Sequence, residues 1–257
     1  MNQFSCRRQL ILLSLLLCFA IPSLHAGFIE TFETGTNDGD WRLTTSTEPV
    51  IEPNGGNPGA YLRQQVDAAI PTWYVPLDTA PTHFLGNYAK RHIKAMSFDL
   101  NIYSGSEVPN RNVTLDIATT LGTGDFSRGV AAYYIGTDIS HFPPGWQTYS
   151  FRIDAASPVI PLGWVVTRGN GRPGTDADWQ ALMRDVETVG LQLGTPGYFY
   201  PFWIWDLGLD NVRIVQHYPA PLTIIIRRNA ERWALDSLPR FPFTGLGVER
   251  LLAIYRS

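Results

Sequence analysis

The sequence has few cysteines and few charged residues, and each scarcity excludes a class of protein. Both cysteines, Cys6 and Cys18, lie near the amino terminus, so residues 27–257 can form no disulfide and offer no thiol nucleophile. Charged residues make up 17% of the chain, and the net charge of −3 argues against a protein that mainly holds nucleic-acid phosphates. No apolar run approaches the roughly 20 residues that span a bilayer.

Common catalytic motifs are missing as well. The chain contains no Gly-x-Ser-x-Gly nucleophile turn, no His-Glu-x-x-His zinc helix and no phosphate-binding glycine loop followed by Lys-Ser or Lys-Thr. These absences favour a protein that is not an enzyme. The scattered histidines are expected at the surface or in ordinary hydrogen bonds rather than on a metal: His83, His92, His141 and His217.

The first 26 residues have the order of a secretory signal peptide. Arg7 and Arg8 precede an apolar run over residues 10–21, and the segment ends at the small residue Ala26. An uncleaved membrane anchor is the alternative. We therefore expect an exported protein in the periplasm, at the cell surface or outside the cell, with no membrane span once the signal is removed.

From residue 27 to residue 218 the pattern is one short strand after another. Glycine and proline are frequent, with 23 and 19 residues, and they separate segments in which apolar and polar residues alternate. The pattern predicts an all-β fold, an antiparallel β-sandwich of the jelly-roll type. Strands are predicted at residues 28–34, 60–66, 72–77, 96–102, 113–117, 128–136, 149–153, 189–193 and 207–215.

One short helix is predicted among these strands. Thr175 can cap it, and the acidic residues of its first turn suit the helix dipole. Trp179, Leu182, Met183 and Val186 are spaced so that they form a single apolar stripe. The helix is therefore expected to cover an open edge or end of the sandwich.

The composition changes after residue 218. A Pro-Ala-Pro linker at residues 219–221 leads to a short apolar run at residues 224–226, which Arg227 and Arg228 follow at once. We expect residues 219–257 to form a C-terminal extension that is partly disordered or weakly docked.

The two ends of the predicted sandwich carry short motifs. The chain reads Phe-Glu-Thr-Gly at residues 32–35 and Leu-Asp-Asn-Val-Arg-Ile at residues 209–214. In this pairing it resembles the jelly-roll modules of the galactose-binding-like fold, such as the laminin B-type (domain IV) module and carbohydrate-binding modules of bacterial exported proteins. The resemblance covers residues 28–215 and implies that the two motifs lie on adjacent strands. The chain departs from laminin in having no flanking cysteine-rich repeats.

The resemblance also implies a structural calcium site. The opening Glu, the closing Asp and a carbonyl near the opening Gly bind Ca²⁺ in such modules, which here gives Glu33, Asp210 and Gly35. Two carboxylates on neighbouring strands suit an ion that prefers oxygen ligands. Asp210 shares a strand face with Val212 and Ile214, so it is expected to point inward, where an ion would offset the cost of burying its charge. The alternative is that Glu33 and Asp210 cap turns or pair with nearby arginines.

Aromatic side chains are the predicted ligand contacts, because sugar rings stack their C–H faces on tryptophan and tyrosine. The densest cluster spans residues 198–205, in which an extended chain would place Trp203 and Trp205 on one face. Trp146 lies opposite the predicted inward face of its strand and is expected outside. Core packing is the alternative for each of them. The predicted ligand-binding residues are Trp73, Tyr74, Trp146, Tyr198, Tyr200, Trp203 and Trp205.

We therefore expect an exported, non-catalytic binding module whose partner is a carbohydrate or a cell-surface or matrix polymer. A structural or adhesive domain that contacts an extracellular or cell-surface protein is the main alternative, and it predicts a large exposed apolar patch. A polysaccharide hydrolase or lyase is the third, and it requires catalytic carboxylates, or Tyr, His and Arg side chains, that converge in a cleft.

Overall fold

A computed structural model of the chain describes residues 27–44, 48–77 and 82–216. These residues form two six-stranded sheets with antiparallel strand pairs and one short α-helix between the tenth and eleventh strands. The predicted antiparallel all-β sandwich with a single covering helix is thereby confirmed. The predicted signal peptide, residues 1–26, and the predicted extension, residues 219–257, lie outside the described residues.

The first sheet, sheet A, brings the two ends of the domain together. Its strand order is β3 (Val50–Gly56), β4 (Gly59–Ala68), β12 (Trp203–Gln216), β6 (Ile93–Ser104) and β9 (Gln147–Arg152). The first strand, β1 (Gly27–Glu30), pairs with the last part of β12, and β4 pairs with its first part. The opening and closing strands of the sandwich are therefore adjacent, but the opening motif at residues 32–35 lies in the turn after β1 rather than on a strand.

The second sheet, sheet B, packs against the first. Its order is β10 (Trp164–Arg168), β8 (Val130–Asp138), β7 (Asn112–Thr119), β11 (Thr188–Leu193), β5 (Thr72–Val75) and β2 (Arg42–Leu43). Three of the observed strands, β2, β3 and β10, are not predicted from the sequence pattern. The strand predicted over residues 28–34 ends at Glu30, because Phe32 adopts a positive φ of 59° that interrupts the extended chain.

The helix α1 (Asp176–Arg184) closes the sandwich beside β8 and β10. Thr175 caps it as predicted, in a reciprocal capping box with Asp178. Trp179 is buried in the core with its ring centroid 5.3 Å from that of Trp164, so the predicted apolar stripe faces the sandwich. Within the described residues, no helix has the length and apolarity needed to cross a membrane.

Candidate functional site

The outer surface of sheet A carries aromatic and charged side chains. Leu62 and Val66 of β4 belong to the core, so the alternate residues Tyr61 and Arg63 face outward. The same alternation turns outward Tyr103 of β6 and Asp206 of β12. We call this surface the Trp146 face, and its members are Tyr61, Arg63, Tyr103, Trp146 and Asp206.

Trp146 reaches across this surface from the start of β9. Its indole N–H donates to the carbonyl of Gly55 at 2.9 Å, and its ring meets Tyr61 edge-on with centroids 5.2 Å apart. Gly208 makes this approach possible, because a Cβ there would lie 2.8 Å from the Trp146 ring and 3.1 Å from the Tyr61 ring. The half-buried indole is therefore fixed against the backbone of β12.

A fixed ion pair lies beside these rings. The Arg63 guanidinium donates twice to the carboxylate of Asp206, at 2.9 and 2.7 Å, and thereby lowers the pKa of Asp206. The same guanidinium lies 4.6 Å from the centroid of the Tyr103 ring, which is 41% exposed. The Trp146 face therefore offers two partly accessible rings, Trp146 and Tyr103, with a polar pair of fixed orientation.

Three carboxylates, which we call the carboxylate cluster, lie near the turn between β3 and β4: Glu33, Asp99 and Asp210. Asp99 and Asp210 are directly opposite each other on β6 and β12, and both are buried. Burial, with the charges of Asp99 and Glu33, raises the pKa of Asp210 to about 6, although it accepts the N–H groups of Asn57 and Asn211. In the described part of the chain, no lysine or arginine forms an ion pair with these carboxylates.

The expected orientation of Asp210 is corrected by the structure. Asp210 does not share the inward face of Val212 and Ile214, because Asn211 forms a β-bulge with a φ of 47°. The extra residue reverses the alternation, so Asp210 faces outward with Asp206 and is buried under the β3–β4 turn rather than in the core.

The other residues of the predicted calcium site divide between two places. Glu33 accepts the N–H of Ala60 at 3.0 Å, which holds it at the β3–β4 turn near Asp210. Gly35 lies in an exposed turn with a φ of 72°, and nothing stands within 4 Å of the position that a Cβ would take. The opening loop is held instead by Glu30, whose buried carboxylate accepts N–H groups from Phe32 and Gly39.

The predicted aromatic ligand contacts are spread over four places. Trp73 and Trp205 are fully buried in the core, so their ring faces are not available to a ligand. Tyr74 faces outward from sheet B, and Trp146 faces outward from sheet A. Tyr198 and Trp203 belong to an exposed apolar segment at the end of the sandwich, which we call the end patch: Tyr198, Phe199, Phe202, Trp203 and Ile204.

Tyr200 is buried against an unusual partner, Arg111. The Arg111 guanidinium lies 4.1 Å from the Tyr200 ring centroid and 4.6 Å from that of Trp205, and it donates to the carbonyls of Ala69 and Leu193. Its Nε and Nη2 have no hydrogen-bond partner among the described residues, and burial lowers its pKa. Tyr200 and Trp205 thus accommodate a buried cation.

Sequence reasoning misses four members of the Trp146 face, namely Tyr61, Arg63, Tyr103 and Asp206. Tyr103 stands in an alternating segment, which is a signal for an outward position, but nothing local marks it as functional. Arg63 and Asp206 are 143 residues apart, so only the strand register brings them together.

The comparisons with known proteins concern the fold. No family model matches the chain, and no curated protein matches it. The L4b domain of human laminin alpha-2 is 10% identical, with a TM-score of 0.46 over 75% of this chain and 98% of that one. CBM28, a carbohydrate-binding module specific for non-crystalline cellulose, is 13% identical, with a TM-score of 0.35 over 72% and 90% of the two chains. An exo-β-agarase is 12% identical with a TM-score of 0.43, and the match covers 76% of this chain but only 25% of that protein. Both kinds of module named from the sequence, laminin-type and carbohydrate-binding, occur among these structures.

Proposed function

We propose that this protein is an exported binding module that holds a carbohydrate chain on the Trp146 face. The supporting observation is that the Trp146 ring contacts Tyr61, Tyr61 contacts Tyr103, and Tyr103 lies against the Arg63 guanidinium of the Arg63–Asp206 ion pair, all on one sheet surface. Aromatic rings accept the C–H faces of sugars, and polar groups of fixed orientation read their hydroxyls. Export is supported by the signal-peptide pattern of residues 1–26.

Calorimetric titration with soluble polysaccharides tests this proposal. The panel contains a β-glucan, a xyloglucan and a galactomannan, and the variants are Trp146→Ala and Tyr103→Ala. Each variant is expected to weaken binding roughly tenfold, since each removes one stacking surface. The control is Phe126→Ala, which removes an exposed ring from a 3₁₀-helical turn outside the Trp146 face. Folded Trp146→Ala and Tyr103→Ala variants that bind every glycan like the wild type would refute the proposal.

We also propose that Ca²⁺ binds at the carboxylate cluster and stabilises the domain. The buried charges of Asp99 and Asp210 support this, because no described cation offsets them and a bound divalent ion would. In the present arrangement of the described residues, no three acidic, histidine or cysteine side chains converge on a common point. Glu33 is exposed, so its side chain can reorient toward Asp210 to complete such a site.

A protein-contacting function is the second candidate, and the end patch favours it. Phe199 is 93% exposed and Phe202 is 71% exposed, which is costly for apolar rings of a soluble domain unless a partner covers them. If a second copy covers the patch, sedimentation will show concentration-dependent association that Phe199→Ser with Phe202→Ser abolishes. If the wild-type protein stays monomeric at every concentration, self-association through the end patch is excluded.

A further inference from the structure

The outer surface of sheet B contains a row of residues that the proposed function does not use. Gly190 of β11 is directly opposite Asp116 of β7 on one side and Tyr74 of β5 on the other. Asp116 is in turn opposite Tyr133 of β8. Leu115, Ile117 and Leu191 fill the core from the same strands, so these four residues face outward. We call them the Asp116 row.

The middle of the Asp116 row projects little from the sheet, and a tyrosine stands at each end. Gly190 has no side chain, and the next outward residues of β7, Thr114 and Ala118, are small and buried. Tyr74 and Tyr133 stand on strands three spacings apart, which is about 14 Å. The stretch of sheet between the two strands is wide enough for a pyranose ring to lie on it, with the Thr72 methyl group, 3.3 Å from the position of a Cβ on Gly190, as part of its floor.

The carboxylate of Asp116 lies beside Gly190 on the outer surface of sheet B. Its Oδ2 lies 3.6 Å from the position that a Cβ on Gly190 would take, and it accepts one hydrogen bond, from the Gln192 amide at 3.2 Å. No lysine or arginine among the described residues forms an ion pair with it. An ionised carboxylate has about four acceptor positions, so the described residues use only a small part of the acceptor capacity of Asp116.

The charges around the row do not neutralise this carboxylate. Arg42 is the charged residue on the neighbouring strand β2, opposite Tyr74, and it pairs with Asp40 at 2.9 Å. Arg168 of β10 pairs with Asp178 of the helix. Burial consequently raises the pKa of Asp116 to about 6, and a ligand that donates hydrogen bonds would offset the cost of its charge.

We propose that the Asp116 row is a second binding site, on the sheet opposite the Trp146 face, and that it takes a neutral sugar ring. Two sugar hydroxyls donate to the Asp116 carboxylate, and the rings of Tyr74 and Tyr133 contact the apolar faces of the sugar. A neutral polyol fits because the remaining polar groups of the surface are themselves neutral: Thr72, Thr114, Thr188 and Gln192. With a site on each outer surface of the sandwich, one molecule can hold two glycan chains.

The test is calorimetric titration of the Trp146→Ala, Tyr103→Ala double variant with the same β-glucan, xyloglucan and galactomannan, in which the Trp146 face is weakened about a hundredfold and binding to sheet B dominates. Residual binding of at least one glycan is expected, and Asp116→Asn or Tyr133→Ala in that background should weaken it about tenfold or more. Binding should also weaken below pH 6, where the carboxylate takes up a proton. Asp138→Asn, which changes an exposed carboxylate at the end of β8, is the matched control.

Each outcome separates this inference from the proposed function. Loss of all binding in the Trp146→Ala, Tyr103→Ala double variant, or unchanged binding when Asp116→Asn is added to it, overturns the second site and leaves the Trp146 face intact. Unchanged binding in Trp146→Ala together with loss in Asp116→Asn refutes the Trp146 face and supports the Asp116 row. If no glycan of the panel binds the folded wild-type protein, the inference is overturned.

Discussion

Asp99 and Asp210 are directly opposite each other on β6 and β12, and within the described part of the chain neutral N–H and O–H groups rather than cations hold both carboxylates. The Asn57 and Asn211 side-chain amides donate to the same oxygen of Asp99, at 3.0 and 2.8 Å, and Thr148 donates to the other oxygen. Two negative charges on directly opposite residues repel each other, and burial increases the repulsion. The surface beside the Trp146 face is therefore expected to store electrostatic strain that a proton or a cation can relieve.

Acidification should stabilise the domain through Asp210. Its folded-state pKa of about 6 lies above the ordinary value, so its stabilising contribution is fully present below about pH 4 and is lost as the pH rises through 6. Urea unfolding in EDTA at pH 5 and pH 7 should show that Asp210→Asn removes a pH-dependent difference of about 1.3 kcal/mol. Comparing the two proteins cancels the opposite effect of carboxylates with lowered pKa values, such as Asp206. Parallel pH profiles for wild type and variant would contradict the assignment.

Calcium should raise the melting temperature if it binds the carboxylate cluster. A ligand that binds only the folded state stabilises by about 2.7 kcal/mol at a hundredfold excess over its Kd. Thermal unfolding with EDTA and then with excess Ca²⁺ should give an upward shift that Glu33→Gln and Asp210→Asn each reduce. Glu107→Gln, at an exposed carboxylate that pairs with His141, should keep the full shift. A shift that persists in both cluster variants would place the ion elsewhere.

Trp203 and Trp205 should differ sharply in their contribution to stability, although only one residue separates them. Trp205→Ala empties a fully buried site and is expected to cost about 3–5 kcal/mol. Trp203, which is 52% exposed, should cost less than about 1 kcal/mol on truncation. Urea unfolding curves of the two variants measure this difference. Similar losses for both would mean that the end patch is covered in solution.

Gly208→Ala should displace Trp146 although it removes none of the proposed sugar-binding side chains. The added methyl would lie 2.8 Å from the indole, so the ring has to move and its hydrogen bond to Gly55 weakens. We expect a stability loss of about 1 kcal/mol, a shifted indole N–H resonance for Trp146, and weaker glycan binding on the Trp146 face. Ser150→Ala, an outward position on β9, is the control that should change none of these. An unmoved Trp146 resonance would contradict the close packing of the indole against Gly208.

Local patterns predict the strands and the helix because each depends on residues close in sequence. The alternation around Met96 and Phe98 and the cap at Thr175 are read correctly for this reason. The Trp146 face depends on register instead, because Arg63 and Asp206 meet only after β4 and β12 pair. No local signal carries that information.

Two predictions fail for physical reasons that the sequence does not determine: the inward orientation of Asp210 and the common role of Trp203 and Trp205. Asn tolerates a positive φ, so the Asp-Asn pair at residues 210–211 is compatible with a bulge, but the pattern does not require one. Trp203 and Trp205 are two residues apart and are expected to share one face with the same environment. However, β6 begins to pair with β12 only at Asp206, so Trp203 extends beyond the packed part of the sheet while Trp205 is buried.

The bulge at Asn211 divides β12 into two halves in which the alternation of inward and outward side chains is reversed. Before it, every second residue faces outward beside the Trp146 face, and after it the side chains of Val212 and Ile214 secure the core against β1. Under the proposed function, the outward positions before the bulge set the ligand contacts, and they do not overlap with the inward positions that hold the core. A designer could exchange the outward residues of the first half for another ligand chemistry while leaving the residues that hold the sandwich together unchanged.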